Sequence, residues 1–396
     1  MNDPDFRAFA DTIARRDVAS VPTAASFDRV TVLGGGREAR LLACLCLAEG
    51  AEVTLCSAYD SELSALRDAG GVTLRDEGPA GTYAVSRDRG PSIRLRAEID
   101  VSIRDADLVW LTGTVLTQRL YAMALAEHLS DGQVVALLPG RTLGALDIAS
   151  HLRCGGCRVD VTLVEIQTPP YWIRMQGTAL HLTRAAPAPV ATVPGGLDDV
   201  VRGLSRFLPN PVAVPSIVHG SFADGSGLAE VPALLLGGPA APPGGPALPA
   251  GAEPLPERNS FRALVGERHR AVVVAMAEER RRVAAHWGVR ELPDADAWLD
   301  RHAGAPAGTS SRPVPGPDES RALIRCAVIG SLTPLLSAAE VAGVAAPVTR
   351  AMTTLGSTVL GSDLTGAGRR IDLVGTGAAS LDDARRTIDA FARGEW

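Results

Sequence analysis

Short, nearly unbroken apolar runs recur through the first half of the chain. Val30–Leu33, Glu52–Cys56, Asp107–Leu111, Gln133–Leu138 and Val159–Ile166 predict buried strands, because a strand covered on both faces has no polar side to show. Between them lie stretches of helical length. Leu116–His128 and Leu143–Leu152 supply the crossovers that parallel strands require. Residues 237–256 are dominated by Pro, Gly and Ala and predict a long loop. Beyond it the period changes. Ser260–Trp287 predicts one long helix with Phe261, Val265, Val272, Met276 and Val283 inward, followed by helices at Glu319–Leu336, Pro347–Leu360 and Leu381–Arg393.

The first strand runs into Gly34-Gly35-Gly36-Arg37-Glu38-Ala39 and then an apolar helix starting at Leu41, which is a dinucleotide fingerprint in its G-x-G-x-x-A form. Gly34 permits the tight turn, Gly36 lets backbone approach a pyrophosphate, and Ala39 lets the helix lie close on the sheet. The free N–H groups of that helix are the expected phosphate site. The expected fold class is therefore an α/β Rossmann domain, doubly wound around a mostly parallel sheet, with an all-α C-terminal domain. The boundaries follow: an N-terminal extension over 1–27, with Phe6, Phe9 and Ile13 on one helical face, the Rossmann domain over 28–210, a crossover segment and Pro/Gly-rich loop over 211–257, and the helical domain over 258–396.

A net charge of −6, with arginines spread among acids, argues against a nucleic-acid surface. Glu278-Glu279-Arg280-Arg281-Arg282 is expected to be a solvated helix face. The acidic start Met1–Asp5 has no apolar signal region, and no apolar run reaches membrane-spanning length without Pro or Gly, so a soluble cytoplasmic protein is expected. Of six cysteines, Cys44, Cys46 and Cys56 fall in predicted core elements. Cys154-Gly155-Gly156-Cys157 has no second pair to complete a zinc site, so no metal is expected. The 39 basic residues are all arginine, which excludes Schiff-base and pyridoxal chemistry on a lysine of this chain.

Several segments, in order and spacing over most of residues 29–377, resemble the octopine/nopaline (opine) dehydrogenase family. They are the glycine fingerprint with Glu52–Leu55, Asp131–Val135 leading to Pro139-Gly140 and Gly144–Leu146, and Glu165-Ile166-Gln167-Thr168-Pro169-Pro170-Tyr171-Trp172-Ile173-Arg174. Leu332–Leu335, Ala342–Val344, Pro347–Thr349 and Gly366–Arg369 echo the family's helical domain. The resemblance implies reduction, by a nicotinamide cofactor, of the imine joining an amino acid to a 2-oxo acid, or of a C=O bond. In the family a His after the Rossmann domain, held by an Asp of the helical domain, manages the proton. Here Glu230, or Val231 with one residue of slippage, stands at the His position, Ser226 or Gly227 at an Asn four residues earlier, and Ala327 at the Asp position. The lost pair suggests a specialised substrate, as in secondary metabolism. The alternative is a relative that has left redox chemistry and binds a ligand or catalyses a non-redox step. A third option, ketopantoate-reductase-like chemistry, usually brings a Lys that this chain lacks.

Glu230 is the leading acid/base candidate, provided burial raises its pKa, and His219 is the second. His269, between Arg268 and Arg270, is expected on a solvated face. Gly34, Gly35, Gly36, Arg37, Glu38, Ala39, Ser57, Thr112, Thr114 and Pro139 are expected to bind cofactor, the last three from the carboxyl edge of the sheet. Thr168, Tyr171 and Arg174 are expected to bind substrate, Arg174 by clamping a carboxylate, and Tyr171 and Trp172 to wall the nicotinamide pocket. The second strand ends in Cys56-Ser57-Ala58 without the acid that holds a ribose hydroxyl, and Ser57 could donate to a phosphate, so NADP is expected, with NAD the alternative. The expected partner is a small amino-acid-derived molecule, with neither nucleic acid nor membrane, and the helical domain offers a surface for a homodimer.

Overall fold

The structure, a computed structural model, describes residues 25–86, 91–237, 260–304, 311–372 and 380–395. Most of the 1–27 extension and of the Pro/Gly-rich loop lies outside them. Among the described residues twelve strands form one sheet: β1 (Arg29–Leu33), β2 (Glu52–Cys56), β3 (Gly71–Asp76), β4 (Gly81–Ser86), β5 (Ile93–Arg96), β6 (Leu108–Thr112), β7 (Val134–Leu138), β8 (Thr162–Ile166), β9 (Tyr171–Gln176), β10 (Ala179–Arg184), β11 (Pro189–Val193) and β12 (Val212–Ala213). Their order is β12-β11-β8-β7-β6-β1-β2-β5-β4-β3-β10-β9. The central strands, β8 through β5, pair in parallel. Successive side chains take opposite faces. Val30, Val32, Trp110 and Ala136 pack with the helix Arg37–Ala48, whereas Leu33, Val109, Leu111 and Val135 pack with Val115–Leu125 and Gly144–Cys154. The chain leaves β1 for β2 on one side and returns to β6 on the other, so a crevice opens at the carboxyl ends of β1 and β6.

The hairpin β9–β10, turned at Gly177 with φ +63°, joins β3 in parallel, so the segment after Pro170 becomes sheet edge. Sequence periodicity marked neither β3 nor this hairpin as strand, because their faces are only half buried.

The second half is helical: Ile217–Phe222, Ser226–Leu236, Glu267–His286, Ala295–Ala303, Pro317–Ala327, Thr333–Ala342, Pro347–Leu360 and Leu381–Ala392. The predicted Ser260–Trp287 helix is interrupted. A 3₁₀ turn, Phe261–Leu264, stops at Val265, and Gly266 caps a new helix from Glu267. A π turn, Val328–Leu332, links Pro317–Ala327 to Thr333–Ala342 in one apolar rod that is mostly buried in the protein. The charge cluster is not a solvated face throughout. Glu279 and Arg280 are buried, because the helix packs on two sides. The last helix, Leu381–Ala392, lies against β11 and places Ala384, Ile388 and Phe391 in the sheet's core, which also receives Trp287 and Leu335. The sheet and the helical half thus share hydrophobic packing in this part of the molecule.

Candidate functional site

At the fingerprint turn, Gly34 has φ +115°, and a Cβ there would stand 2.5 Å from Thr112 Oγ1. Only glycine accepts both conditions without strain. Ala39 is fully buried against the sheet. Gly36 caps the helix Arg37–Ala48 in an extended conformation with no side chain on the first-turn N–H groups. A Cβ on Gly36 would find nothing nearer than Glu38 at 3.9 Å. An open cradle under unsatisfied helix N–H groups fits a pyrophosphate. Arg37 Nε donates to Glu38 at 2.8 Å, and its other end pairs with Glu319 of the helical half, so this loop is tied across the crevice.

Thr112 and Thr114 stand at the carboxyl edge of the sheet, and both hydroxyls serve the fold. Thr112 Oγ1 donates to the Leu33 carbonyl at 2.7 Å, and Thr114 caps the helix Val115–Leu125 by accepting from Thr117 N at 3.1 Å. Ser57 is fully buried, donates to Glu62 Oε2 at 2.6 Å and accepts from Tyr59 N at 3.1 Å. Its hydroxyl proton is therefore already committed, and the phosphate-donor role expected of it has no hydrogen left to act with.

A cleft runs between the halves, lined from the sheet side by Arg37, Pro139, Arg141, Gln167, Thr168, Tyr171 and Trp172 and from the helical side by Ser226, Glu230, His302, Arg312 and Glu319. Glu230 lies inside the helix Ser226–Leu236, 5% exposed, while Val231 turns into the helical core with Ala327. Its Oε1 accepts from Arg312 at 2.9 Å, and Oε2 lies 3.6 Å from Arg141. Glu230 is thus the ion partner of two guanidinium groups, rather than a lone acid in an apolar pocket. Its Oε2, Gln167 Oε1 and Thr168 Oγ1 make no hydrogen bond within the protein, although all three atoms are buried. These oxygens, of which Glu230 Oε2 has only the longer ion contact with Arg141, leave acceptor positions on one cleft that suit a ligand's donors.

His302, which no motif signalled, is the histidine of this cleft. It closes the helix Ala295–Ala303, 4% exposed. Its Nε2 accepts from Gly225 N at 3.2 Å, so the neutral ring carries its proton on Nδ1. Burial takes its pKa down to about 3, against the pull of Asp224, with Arg301, Arg312 and Arg141 adding to the fall.

Two expected residues lie elsewhere. His219 belongs to the helix Ile217–Phe222, bonds Ser216 Oγ at 2.9 Å and borders a different groove with Val212 and Arg290. Arg174 is exposed on the outer half of β9, an edge strand whose buried half ends at Ile173. His269 is half buried, with Nδ1 3.0 Å from the Leu264 carbonyl, a contact that braces the 3₁₀ turn.

Beneath the cleft a polar layer holds the Pro139–Thr142 loop. Arg369, fully buried, donates to the Gly140 carbonyl at 2.7 Å, the Thr142 carbonyl at 3.0 Å and Asp147 at 2.9 Å. Arg119 completes the pairing of Asp147. Asp224 accepts from Thr142 and Ser226. Burial would raise its pKa, but Arg141 and Arg280 hold it below the usual carboxylate range. Burial lowers Arg280 to about 10. Glu165, also fully buried, is pushed up to about 7 by burial, against the Ala145 N–H bond and Arg369.

A mostly parallel doubly wound sheet with a glycine-rich turn thus faces a helical half across a charged cleft. No family model matches the chain. It is similar to an opine dehydrogenase of Arthrobacter sp. (strain 1C), 24% identical over 203 residues, which cover 49% of this chain and 52% of that protein. The match thus spans about half the length of that relative. Octopine dehydrogenase with NADH and agmatine superposes with a TM-score of 0.68 at 17% identity, covering 93% of this chain and 98% of the other. Its complex with NADH and pyruvate gives 0.67 at 17% identity over 89% and 96%. The chain has the octopine dehydrogenase fold.

Proposed function

We propose that this protein is a nicotinamide-dependent oxidoreductase of opine-dehydrogenase type that reduces the C=N bond joining an amino acid to a 2-oxo acid, or a related C=O bond, within the interdomain cleft. One observation carries the proposal: the glycine cradle at the carboxyl edge of the sheet opens beside a cleft whose far wall bears Glu230, Arg312 and His302. A bound nicotinamide supplies two electrons and one hydrogen. The chain's residues do the remainder. The N-terminus of Arg37–Ala48 holds the pyrophosphate. Pro139, Tyr171 and Trp172 keep water from the reacting carbon. Arg141 and Arg312 clamp carboxylate, the part the sequence assigned to Arg174.

Glu230 replaces the family's histidine by charge. Condensation of amine and carbonyl takes up one proton and releases water, leaving a cationic iminium. That nitrogen then needs no further proton when its carbon is reduced. A carboxylate beside it stabilises the cation, and the bare Glu230 Oε2, Gln167 Oε1 and Thr168 Oγ1 suit an N–H-bearing group. His302, neutral with Nδ1–H, is suited to donate to a substrate oxygen. The missing His/Asp pair supports a specialised substrate, as in secondary metabolism.

The test is NADH and NADPH oxidation with a panel of L-amino acids and 2-oxo acids, alongside direct binding of each nucleotide. Glu230→Gln is expected to lose roughly 10²–10⁴ in kcat while binding cofactor unchanged. An unchanged kcat would move the cation-stabilising role elsewhere. A second function, ligand binding without redox chemistry, draws on Val231 and Ala327 sitting in apolar core where the family keeps its dyad. Transfer of deuterium from labelled cofactor to any substrate would dismiss it.

A further inference from the structure

In doubly wound folds the adenosine ribose lies beside the Gly-rich turn at the end of the second strand, where a carboxylate accepts from the 2′-OH or a cation takes a 2′-phosphate. By sequence no acid stands at the end of β2, where Cys56 is followed by Ser57. In space one does. Glu62, in the first turn of the helix Asp60–Ala69, folds back so that its Oε2 accepts from Ser57 Oγ at 2.6 Å. Because Ser57 also accepts from Tyr59 N at 3.1 Å, its proton is directed at Glu62 and the carboxylate is held. That carboxylate lies over the middle of the fingerprint, so close that a Cβ on Gly35 would overlap it. The nearby guanidiniums are engaged elsewhere, Arg40 alone among them also feeling the Glu62 charge. Arg40 donates through Nε to the Gly35 carbonyl at 2.8 Å, Arg67 pairs with Asp60 at 3.1 Å, and Arg96 lines a separate groove with Thr54 and Arg94.

We infer that Glu62, positioned by Ser57, reads the adenosine ribose and selects NAD(H) over NADP(H). A carboxylate accepts the 2′-OH, whereas a 2′-phosphate would meet like charge at contact distance. This reverses the NADP expectation drawn from the absence of an acid after Cys56. It rests on the nicotinamide assignment, and the test separates the two. Dissociation constants for NADH and NADPH are measured by fluorescence on the full chain, with no substrate present. Tighter binding of NADH by roughly 10- to 100-fold is expected. Glu62→Gln should reduce that ratio about tenfold, chiefly by improving NADPH. Should that variant fold poorly, the wild-type comparison of ADP-ribose with its 2′-phosphorylated form reports the same preference. NADPH binding as tightly as NADH would overturn the role of Glu62 and leave the enzyme class standing. Binding of neither nucleotide would overturn both.

Discussion

Glu165 is a carboxyl group with no access to water, directly below the loop that carries Arg141. Burial raises it to about 7 from an ordinary 4.5, so the folded state binds its proton more tightly than the unfolded chain does. Its stabilising contribution is complete below about pH 4.5 and is lost as pH rises through about 7. Glu165→Gln should therefore flatten this part of the pH profile. In thermal unfolding from pH 4.5 to 8, the advantage of wild type over the variant is expected to shrink by on the order of 3 kcal/mol. Parallel curves would contradict the burial argument. His302 acts in the opposite sense, its contribution being present above about 6.5 and lost as pH falls toward 3. Glu230 as the residue facing the cleft was legible from its alignment, and its setting was not. Its two arginines come from 89 positions upstream and 82 downstream in the chain, a pairing that no local pattern announces.

Among the elements, the helix Glu267–His286 shows why a charge run misleads. Glu279 accepts from Val348 N and Thr349 N at 2.8 Å each and from Thr349 Oγ1 at 2.7 Å, capping the first turn of Pro347–Leu360 from another helix. Pro347 starts that helix without a side-chain cap of its own, and Glu279 supplies the missing acceptors. Glu279→Ala should lower stability by about 2–4 kcal/mol in urea unfolding, with Glu279→Gln much milder because one acceptor remains. Equal losses would mean that packing, rather than capping, is what the side chain provides. Periodicity located Pro347–Leu360 and the central strands well, since each has a single buried pattern over its length. It joined Phe261–Leu264 to the helix beyond because the apolar spacing continues across the Gly266 break.

For the molecule as a whole, Arg369 decides whether the two halves hold the cleft in shape. It reaches from the C-terminal segment to carbonyls of the Pro139–Thr142 loop and to Asp147, all in full burial. Arg369→Gln is expected to cost about 3–5 kcal/mol, because Asp147 and two carbonyls lose their donor. A loss under about 1 kcal/mol in chemical denaturation would show that Arg119 alone satisfies Asp147. Short-range signals along the chain determined the glycine turn, the parallel sheet and the helical second half, because each depends on neighbours within a few residues: a glycine before a helix, a run with no polar face, a repeat near 3.6. Tertiary structure alone decided the chemistry of the cleft. It brought His302 and Arg312 to Glu230, set Glu62 over Gly35, and left His219 and Arg174 outside, since charge pairing and burial depend on distances across the fold that the order of residues does not carry.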